Sequence, residues 1–245
     1  MATGNDTIQD LINETYSDLQ WINSSLSEST IREYFSQRAI LAARNIDVVM
    51  VNNAVLEMLQ GNAKIYSSAD SAFNDAGVAN NAIPNEYLNT IAVSGMPLHQ
   101  ITLKINSVII LLRNLNRYEG LCNGTQLIVT GMAERVIEGQ ILTGVHAGEK
   151  AFIPRISLDT SISTGLGFIL RRRQHPIRLG FGMSINKAQG QSLGHVDIYL
   201  NNPVFVHGQL YVALSRCTDC RNLRVLLPPN SDRKTVNIVY TEVIN

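Results

Sequence analysis

A polar segment containing one glycine follows an apolar stretch in the second half of the chain. The apolar stretch is Leu179–Met183, and the next nine residues read Ser-Ile-Asn-Lys-Ala-Gln-Gly-Gln-Ser. Lys187 can contact a phosphate as a point charge, while neutral side chains hold backbone oxygens of a nucleic acid without reading its sequence. The neutral side chains are those of Ser184, Asn186, Gln189 and Gln191. Gly190 lets the main chain approach a ligand closely. The alternative is an ordinary strand-to-helix turn with polar residues facing water.

Two arginines stand at the ends of predicted elements. Arg216 lies at the end of a predicted helix, 206–216, off its buried stripe. The helix dipole alone favours a cation there, but a guanidinium also pairs bidentately with phosphate oxygens, as arginine fingers do in phosphoryl transfer. Arg44 follows the predicted strand 39–42 and precedes a helix for which Asn45 is a plausible N-cap. That puts Arg44 at the carboxyl edge of a sheet, where ligands bind in α/β folds. A solvated arginine is the simpler alternative in both cases.

The charge distribution is more informative than the total charge. The 245 residues carry no formal net charge, so the whole molecule is not a basic nucleic-acid binder. Between Thr160 and Val196, however, there are basic residues and no acid. The basic residues are Arg171, Arg172, Arg173, Arg178 and Lys187. This stretch predicts a local positive surface suited to phosphates.

Several classes of protein are disfavoured by what the sequence lacks. Three cysteines cannot form a disulfide framework, which suggests a reducing compartment. Neither Cys217-x-x-Cys220 nor the five histidines have the spacing of a metal site, so we expect none. No apolar run approaches the roughly 18 residues that span a bilayer, and the first residues lack a signal peptide. These observations predict an intracellular protein without a membrane partner. The phosphate-binding pattern G-x-x-x-x-G-K-[ST] is absent from the sequence.

The pattern of elements predicts an α/β protein with an inserted β-rich domain. A strand, a loop and a helix span 39–61, and α/β texture returns from Phe168 with strands near 177–183, 196–200 and 223–227. Short, closely spaced β segments between them indicate a small β-barrel. The predicted domains are 1–116, the first part of the α/β domain with an N-terminal helical segment; 117–166, the barrel; and 167–245, the second part. We interpret 70–81 as a polar loop and 235–240 as a possible edge strand.

Seven segments together resemble the C-terminal half of a Pif-type (petite integration frequency) helicase, a family that includes the Helitron-like transposon branch. The resemblance covers roughly residues 8–228. The segments are Ala39–Val48, Pro97–Lys104, Ile109–Leu115, Gly120–Leu127, Phe152–Ile156, Met183–Leu193 and Tyr211–Arg216.

The resemblance implies an ATP-dependent, 5′-to-3′ DNA helicase of superfamily one, with roles in repair, recombination or telomere maintenance and a nuclear or mitochondrial location. It implies a second RecA-like domain, of the P-loop NTPase type, interrupted by a Src-homology-like barrel. Arg44 and Arg216 would be catalytic residues directed at the γ-phosphate of ATP. Gly190 and Gln191 would lie nearest the nucleotide. Single-stranded DNA would contact Ser184, Asn186, Lys187 and Gln189.

Departures from the family pattern leave alternatives open. Ala42-Ala43 stand where a proline usually precedes the arginine, and Ile105–Ser107 replace a glycine-rich turn. The first RecA-like domain, with the phosphate loop and the acidic Mg²⁺-binding motif, is not in the sequence, so we expect a truncated or degenerate copy that does not hydrolyse ATP alone. Most ligands of ATP and Mg²⁺ would belong to that domain in cis. The alternatives are an inactive module that binds single-stranded DNA, or an α/β domain with an unrelated small ligand.

Overall fold

The computed structural model describes most of the chain. The described residues are 2–3, 7–19, 22, 26–74, 76–80, 82–161, 164–229, 231–240 and 242.

Helices and strands alternate at both ends of the described chain, and strands dominate its middle. The strands are β1 (Ala2–Thr3), β2 (Arg38–Ala42), β3 (Lys64–Ser67), β4 (Ala69–Phe73), β5 (Gln100–Leu103), β6 (Val108–Leu111), β7 (Gln126–Met132), β8 (Val136–Ile141), β9 (Lys150–Pro154), β10 (Ile156–Asp159), β11 (Ile169–Gln174), β12 (Ile177–Leu179), β13 (Gly182–Ser184), β14 (His195–Tyr199) and β15 (Leu223–Leu226). The α-helices are α1 (Ile8–Thr15), α2 (Glu28–Ser36), α3 (Asn45–Met58), α4 (Asn85–Thr90) and α5 (Gln209–Leu214), and two 3-10 helices span Ile185–Ala188 and Cys220–Asn222.

The chain divides into two compact units. The first comprises Met1–Gln60 and Leu179–Asn245, and the second is Gly61–Arg178. The second unit is wider than the barrel domain predicted at 117–166. It extends in both directions because β4 pairs with β11, and because β6 and β12 join the sheet that contains β7, β8 and β9.

The first unit is built on a five-stranded parallel sheet in the order β1-β15-β14-β2-β13. The interior strand β2, between β14 and β13, is buried from Ala39 to Ala42, as expected for a parallel strand covered on both faces. On α1, Thr7 and Asp10 form a capping box, and Thr15 hydrogen-bonds the buried carboxylate of Asp197 on β14. The rings of Tyr16, Phe35 and Phe181 pack together with centroids 5.9–6.4 Å apart.

Helix α3 is fixed to β13 by a side-chain amide. Asn52 is buried; its Nδ2 donates to the carbonyl of Gly182 at 3.0 Å, and its Oδ1 accepts from the Gly182 N–H at 2.9 Å. A Cβ on Gly182 would meet Val51 Cγ1 at 2.8 Å, so only glycine allows this close approach. The pair of hydrogen bonds therefore sets the position of the strand that leads into Ser184.

The second unit is mainly antiparallel β structure. It contains a five-stranded sheet, β12-β6-β7-β8-β9, a three-stranded sheet, β10-β11-β4, and the pair β3-β5. Between the strands of the three-stranded sheet and α4 lies a small apolar core that includes Ala72, Leu88 and Leu170. The α/β class with a parallel sheet and a separate β-rich part is confirmed.

Three of the element predictions from sequence are wrong. Residues 70–73, predicted as loop, belong to β4, which gains its hydrogen bonds from β11. The single strand predicted at 177–183 is two strands, β12 and β13, which join different sheets. The segment 235–240 forms no strand in the described structure. In each case the secondary structure depends on whether the segment pairs with a strand that is distant in the sequence, which local residue patterns do not show.

Candidate functional site

The polar segment after β13 is a single turn of 3-10 helix followed by a tight bend. Ile185 and Ala188, three residues apart, point into the core and are fully buried. With a period of three residues per turn, this leaves Asn186 and Lys187 exposed. Ser184 precedes the turn in an extended conformation and makes no capping hydrogen bond. The geometry thus presents Asn186 and Lys187 to solvent.

Gly190 and Gln191 form the bend that ends this turn. Gly190 has φ +84°, a left-handed backbone conformation that glycine adopts without strain. A Cβ there would meet no atom within 4 Å, so the space beside Gly190 is open. The N–H of Gln191 donates to the carbonyl of Ala188 at 3.1 Å. Gln191 Oε1 is buried and has no hydrogen-bond partner among the described residues. Gln189, just before the bend, is exposed.

Arg216 is held against this bend. Its Nη1 donates to the carbonyl of Gln191 at 2.9 Å, its Nε to the carbonyl of Val212 at 2.9 Å, and its Nη2 to Ser215 Oγ at 2.8 Å. The side chain is half-buried and forms no ion pair within the described part of the chain. The guanidinium is therefore fixed in position by neutral acceptors, and its positive charge is not compensated locally.

Gln209 is a positioning residue that the sequence analysis missed. It is buried at the start of α5; its Nε2 lies 3.4 Å from Asn186 Oδ1, and its Oε1 accepts from the Phe205 N–H at 3.0 Å. It links α5 to the 3-10 turn that carries Lys187. The available signal was a polar residue placed directly after Gly208, at the start of a helix whose other inward residues are apolar.

Arg44 lies where β2 gives way to α3. It is exposed, has extended backbone angles as the N-cap of α3, and its side chain makes no cap hydrogen bond. The sequence placed the N-cap one residue later, at Asn45, which is the first helical residue. Within the described residues the Arg44 guanidinium has no hydrogen-bond or ion-pair partner. Because Ala42 of β2 pairs with Ser184 of β13, Arg44 shares the carboxyl edge of the sheet with Ser184, the first residue of the polar segment.

The main chains of Arg44 and Arg216 start from opposite ends of the sheet, although the family resemblance directs both arginines at one γ-phosphate. Arg216 accepts from the N–H of Leu193, just before β14 begins, whereas Ala42 pairs with Tyr199, where β14 ends. Six residues of strand span roughly 20 Å, at about 3.3 Å each. The structure thus brings the Arg216 side chain together with Gln191, and it places the main chain of Arg44 two residues beyond Ala42, which pairs with Ser184.

The local positive surface predicted for 160–196 is wrong for three of its five bases. Arg171 is paired with Asp159, which holds the pKa of that carboxyl below its usual range. Arg172 is buried against Asp70. Burial lowers the pKa of Arg178. The acids that pair with Arg171 and Arg172 lie outside the acid-free window, so counting charges along the chain could not find them. Arg173 and Lys187 are exposed.

No group of three or more His, Cys, Asp or Glu side chains that could hold a metal ion occurs in the described part of the chain. None of the described helices is both long and apolar enough to cross a membrane.

Comparison with sequence relatives points to one family. The model of the DNA helicase Pif1 2B domain matches residues 86–132. The chain is 33% identical over 189 residues to the ATP-dependent DNA helicase PIF1 of Homo sapiens, covering 76% of this chain and 26% of the human protein. It is 34% identical over 136 residues to the ATP-dependent DNA helicase PIF6 of Trypanosoma brucei brucei, covering 51% of this chain and 17% of the relative.

Comparison with solved structures shows the fold. The crystal structure of Pif1 helicase from Candida albicans matches with a TM-score of 0.61 and 21% identity over 97% of this chain and 58% of that chain. Bacteroides Pif1 bound to single-stranded DNA matches with a TM-score of 0.60 and 16% identity over 94% and 52%. This confirms a RecA-like fold with a small β domain.

The chain spans about a quarter of the human relative and about half of these solved chains. All three comparisons, of domain model, sequence and fold, point to Pif1 helicases. None of them uses the side-chain contacts described above. The chain is similar in sequence and in fold to the C-terminal part of Pif1-type helicases.

Proposed function

We propose that this chain is the C-terminal motor part of an ATP-dependent 5′-to-3′ DNA helicase. The observation that supports this most directly is the contact between Arg216 Nη1 and the Gln191 carbonyl. It joins the two segments that the family resemblance assigns to DNA and nucleotide contacts. A DNA strand on the polar segment and a nucleotide beside Arg216 would then be coupled through one short bend at Gly190.

The DNA-facing part of the proposal rests on Ser184, Asn186, Lys187 and Gln189. Asn186, Lys187 and Gln189 are exposed on the turn after β13, and one cation among neutral polar groups suits backbone contact without base readout. The solved Bacteroides Pif1 relative is described as bound to single-stranded DNA. We propose the same ligand class here, with low sequence preference and strong salt dependence.

The nucleotide-facing part rests on Gly190, Gln191, Arg216 and Arg44. Gln191 Oε1 is a buried acceptor without a partner among the described residues, so a donor on a ligand would satisfy it. Arg216 has an uncompensated charge held in place, which suits an arginine finger. Arg44 is exposed at the other end of the sheet, and we propose it as a second phosphate-facing cation whose effect on turnover is separate from that of Arg216.

Hydrolysis is proposed to need a RecA-like domain that carries the phosphate loop and the Mg²⁺ ligands. A relative is described as a complex of Bacteroides Pif1 with ADP-AlF₃ and single-stranded DNA. In our proposal, ATP and Mg²⁺ bind mainly to that other domain, joined in cis, and this chain supplies the arginines. DNA repair, recombination or telomere maintenance, in the nucleus or the mitochondrion, are the corresponding cellular roles that we propose.

The DNA-binding part can be tested with the chain itself. Fluorescence anisotropy of a labelled 20-nucleotide oligothymidine, titrated at several salt concentrations, reports both affinity and salt slope. Lys187→Ala should lower affinity and reduce the slope by about 0.7, the value expected per phosphate contact for single strands. Lys234→Ala is the matched control, because it removes the same charge from an exposed position in the same unit.

Equal effects of the two substitutions would show that binding depends on net charge alone and would remove Lys187 from the proposal. A module that binds DNA without taking part in ATP hydrolysis is the second candidate. The exposed Asn186 and Lys187 favour it equally, and the Arg216 experiment at the end of the Discussion separates the two candidates.

A further inference from the structure

The second unit contains a cavity with an unusual concentration of arginine. Its volume is about 560 Å³. It is lined by Ala69, Glu134, Arg135, Pro154, Arg155 and Arg173. None of these residues takes part in the proposed function described above.

Strand register explains why three arginines meet there. Pro154 of β9 pairs with Val136 of β8, so Arg135 and Arg155 flank the same end of that hairpin. Arg155 is also the residue between β9 and β10, where the chain passes from the five-stranded to the three-stranded sheet. Arg173 of β11 pairs with Ala69 on one side and with Ser157 on the other. The cavity therefore lies where the two sheets of this unit meet.

The arginines of β11 differ sharply in their partners. Arg171 and Arg172 form ion pairs with Asp159 and Asp70. Arg173, the next residue, is exposed and has no ion pair or side-chain hydrogen bond within the described structure. Arg135 is exposed and equally without a partner among the described residues. The strand thus neutralises two of its arginines and leaves the third facing the cavity.

Arg155 is held in place by neutral groups. Its Nη1 donates to the carbonyl of Ser67 at 2.6 Å, and its guanidinium lies 6.0 Å from the ring centre of Tyr66. Tyr66 is itself fixed by a 2.7 Å hydrogen bond to the carbonyl of Ala133. Glu134 is the single acid of the lining, so the cavity wall keeps two positive charges in excess.

We propose that this cavity is a phosphate-binding site. Guanidinium groups present planar pairs of donors that match phosphate oxygens, and a cavity of this size falls within the usual range for ligand sites. The phosphates belong either to a nucleic-acid backbone or to a free polyphosphate, since both present the same oxygens. The site is a second anion contact, carried by the β-rich unit.

The test uses the whole chain and one double variant, Arg135→Gln with Arg173→Gln. Both side chains are exposed and unpaired in the described structure, so the fold should survive. Arg171→Gln is the matched control, because it removes an equal charge from the same strand at a position already paired with Asp159. The probes are labelled 20-nucleotide oligothymidine, followed by anisotropy at several salt concentrations, and inorganic tripolyphosphate, followed by calorimetry.

If a strand occupies the site, the double variant should weaken oligothymidine binding about tenfold or more at low salt and lower the salt slope by about 1.4, for two phosphate contacts. If a free polyphosphate occupies it, the double variant should instead abolish tripolyphosphate binding. The proposal is overturned if both ligands bind the double variant as they bind the unmodified chain, or if Arg171→Gln has an equal effect. Lys187→Ala, measured in parallel, reports on the proposed function separately.

Discussion

The guanidinium of Arg172 and the carboxylate of Asp70 form a fully buried ion pair in the β-rich unit. Nε and Nη2 of Arg172 donate to the carboxylate at 2.7–3.1 Å. The remaining donors reach the carbonyls of Leu88, Ile91 and Pro97 at 2.9–3.1 Å. All five N–H groups of the guanidinium are therefore satisfied, and one side chain ties β11 to β4 and to the segment around α4.

Removing one partner of this pair should destabilise the protein strongly. Arg172→Gln leaves the Asp70 charge buried without its guanidinium partner and removes the Arg172 donors from three carbonyls, which should cost about 3–5 kcal/mol of unfolding free energy. Unfolding of the second unit in urea would measure this loss of unfolding free energy. Arg171→Gln, which breaks an exposed pair on the same strand, should cost less than about 1 kcal/mol. A similar small cost for both variants would contradict the structural role given to Arg172.

His175 should make stability depend on pH between about 6.5 and 4. It is buried, its Nδ1 lies 3.0 Å from the carbonyl of Ile153, and burial lowers its pKa to about 4. Because the folded-state pKa lies below the unfolded value, the unfolded chain binds the proton first, and stability falls as pH drops from 6.5 to 4.

The measurement for His175 is the slope of unfolding free energy against pH. His175→Phe should flatten the slope in that window, whatever its effect on absolute stability. His146→Phe is a suitable comparison, since that histidine is partly exposed and pairs with Glu149 on the surface. An unchanged slope in His175→Phe would mean that other groups cause the pH dependence.

The left-handed conformation of Gly190 should tolerate asparagine better than valine. At φ +84° the backbone of any residue with a side chain is strained. No atom lies within 4 Å of the Cβ position, so a side chain there makes no steric clash that would add to this strain. We expect Gly190→Val to cost about 1–2 kcal/mol and Gly190→Asn less, because asparagine enters this region more readily. Thermal unfolding of both variants checks this order, and a reversed order would show that the bend differs from the one described.

The chain alone should not hydrolyse ATP at a meaningful rate. No G-x-x-x-x-G-K-[ST] segment occurs in its sequence, and positioning plus charge neutralisation supply nearly all the catalysis in phosphoryl transfer. Phosphate release from the purified chain, with single-stranded DNA present, is the measurement. Turnover near 1 s⁻¹, at the lower end of the range of about 1–100 s⁻¹ given for kinases, would reveal a nucleotide site that our account lacks.

Local sequence signals predicted the α/β unit well because its elements are set by short-range patterns. The strand predicted at 39–42 and the helix predicted to follow it within 39–61 correspond to β2 and α3. The β-rich unit was harder, because its limits depend on pairing between strands far apart, such as β4 with β11. The partner of Arg172 is 102 residues away, so no window along the sequence could show that this arginine is buried.

For the site, sequence could name residues but not their relative placement. The polar segment and Arg216 were recognisable from residue types, and their contact through Gln191 came only from the fold. The family resemblance directs both arginines at one γ-phosphate, which would require them to lie close together. Strand register shows that the main chain of Arg216 returns to the amino end of β14, which residue types do not encode.

The most direct test of the motor proposal is the effect of Arg216 on ATP turnover in an assembled helicase. A chimera would carry this chain in place of the matched quarter of the human relative, and the control would be Arg221→Ala, an exposed arginine paired with Asp219 in the same region. We predict that the chimera hydrolyses ATP with DNA present and that Arg216→Ala, while still folded and DNA-bound, lowers turnover by about 10³-fold or more. A loss below tenfold, or no greater than that of Arg221→Ala, would contradict the account.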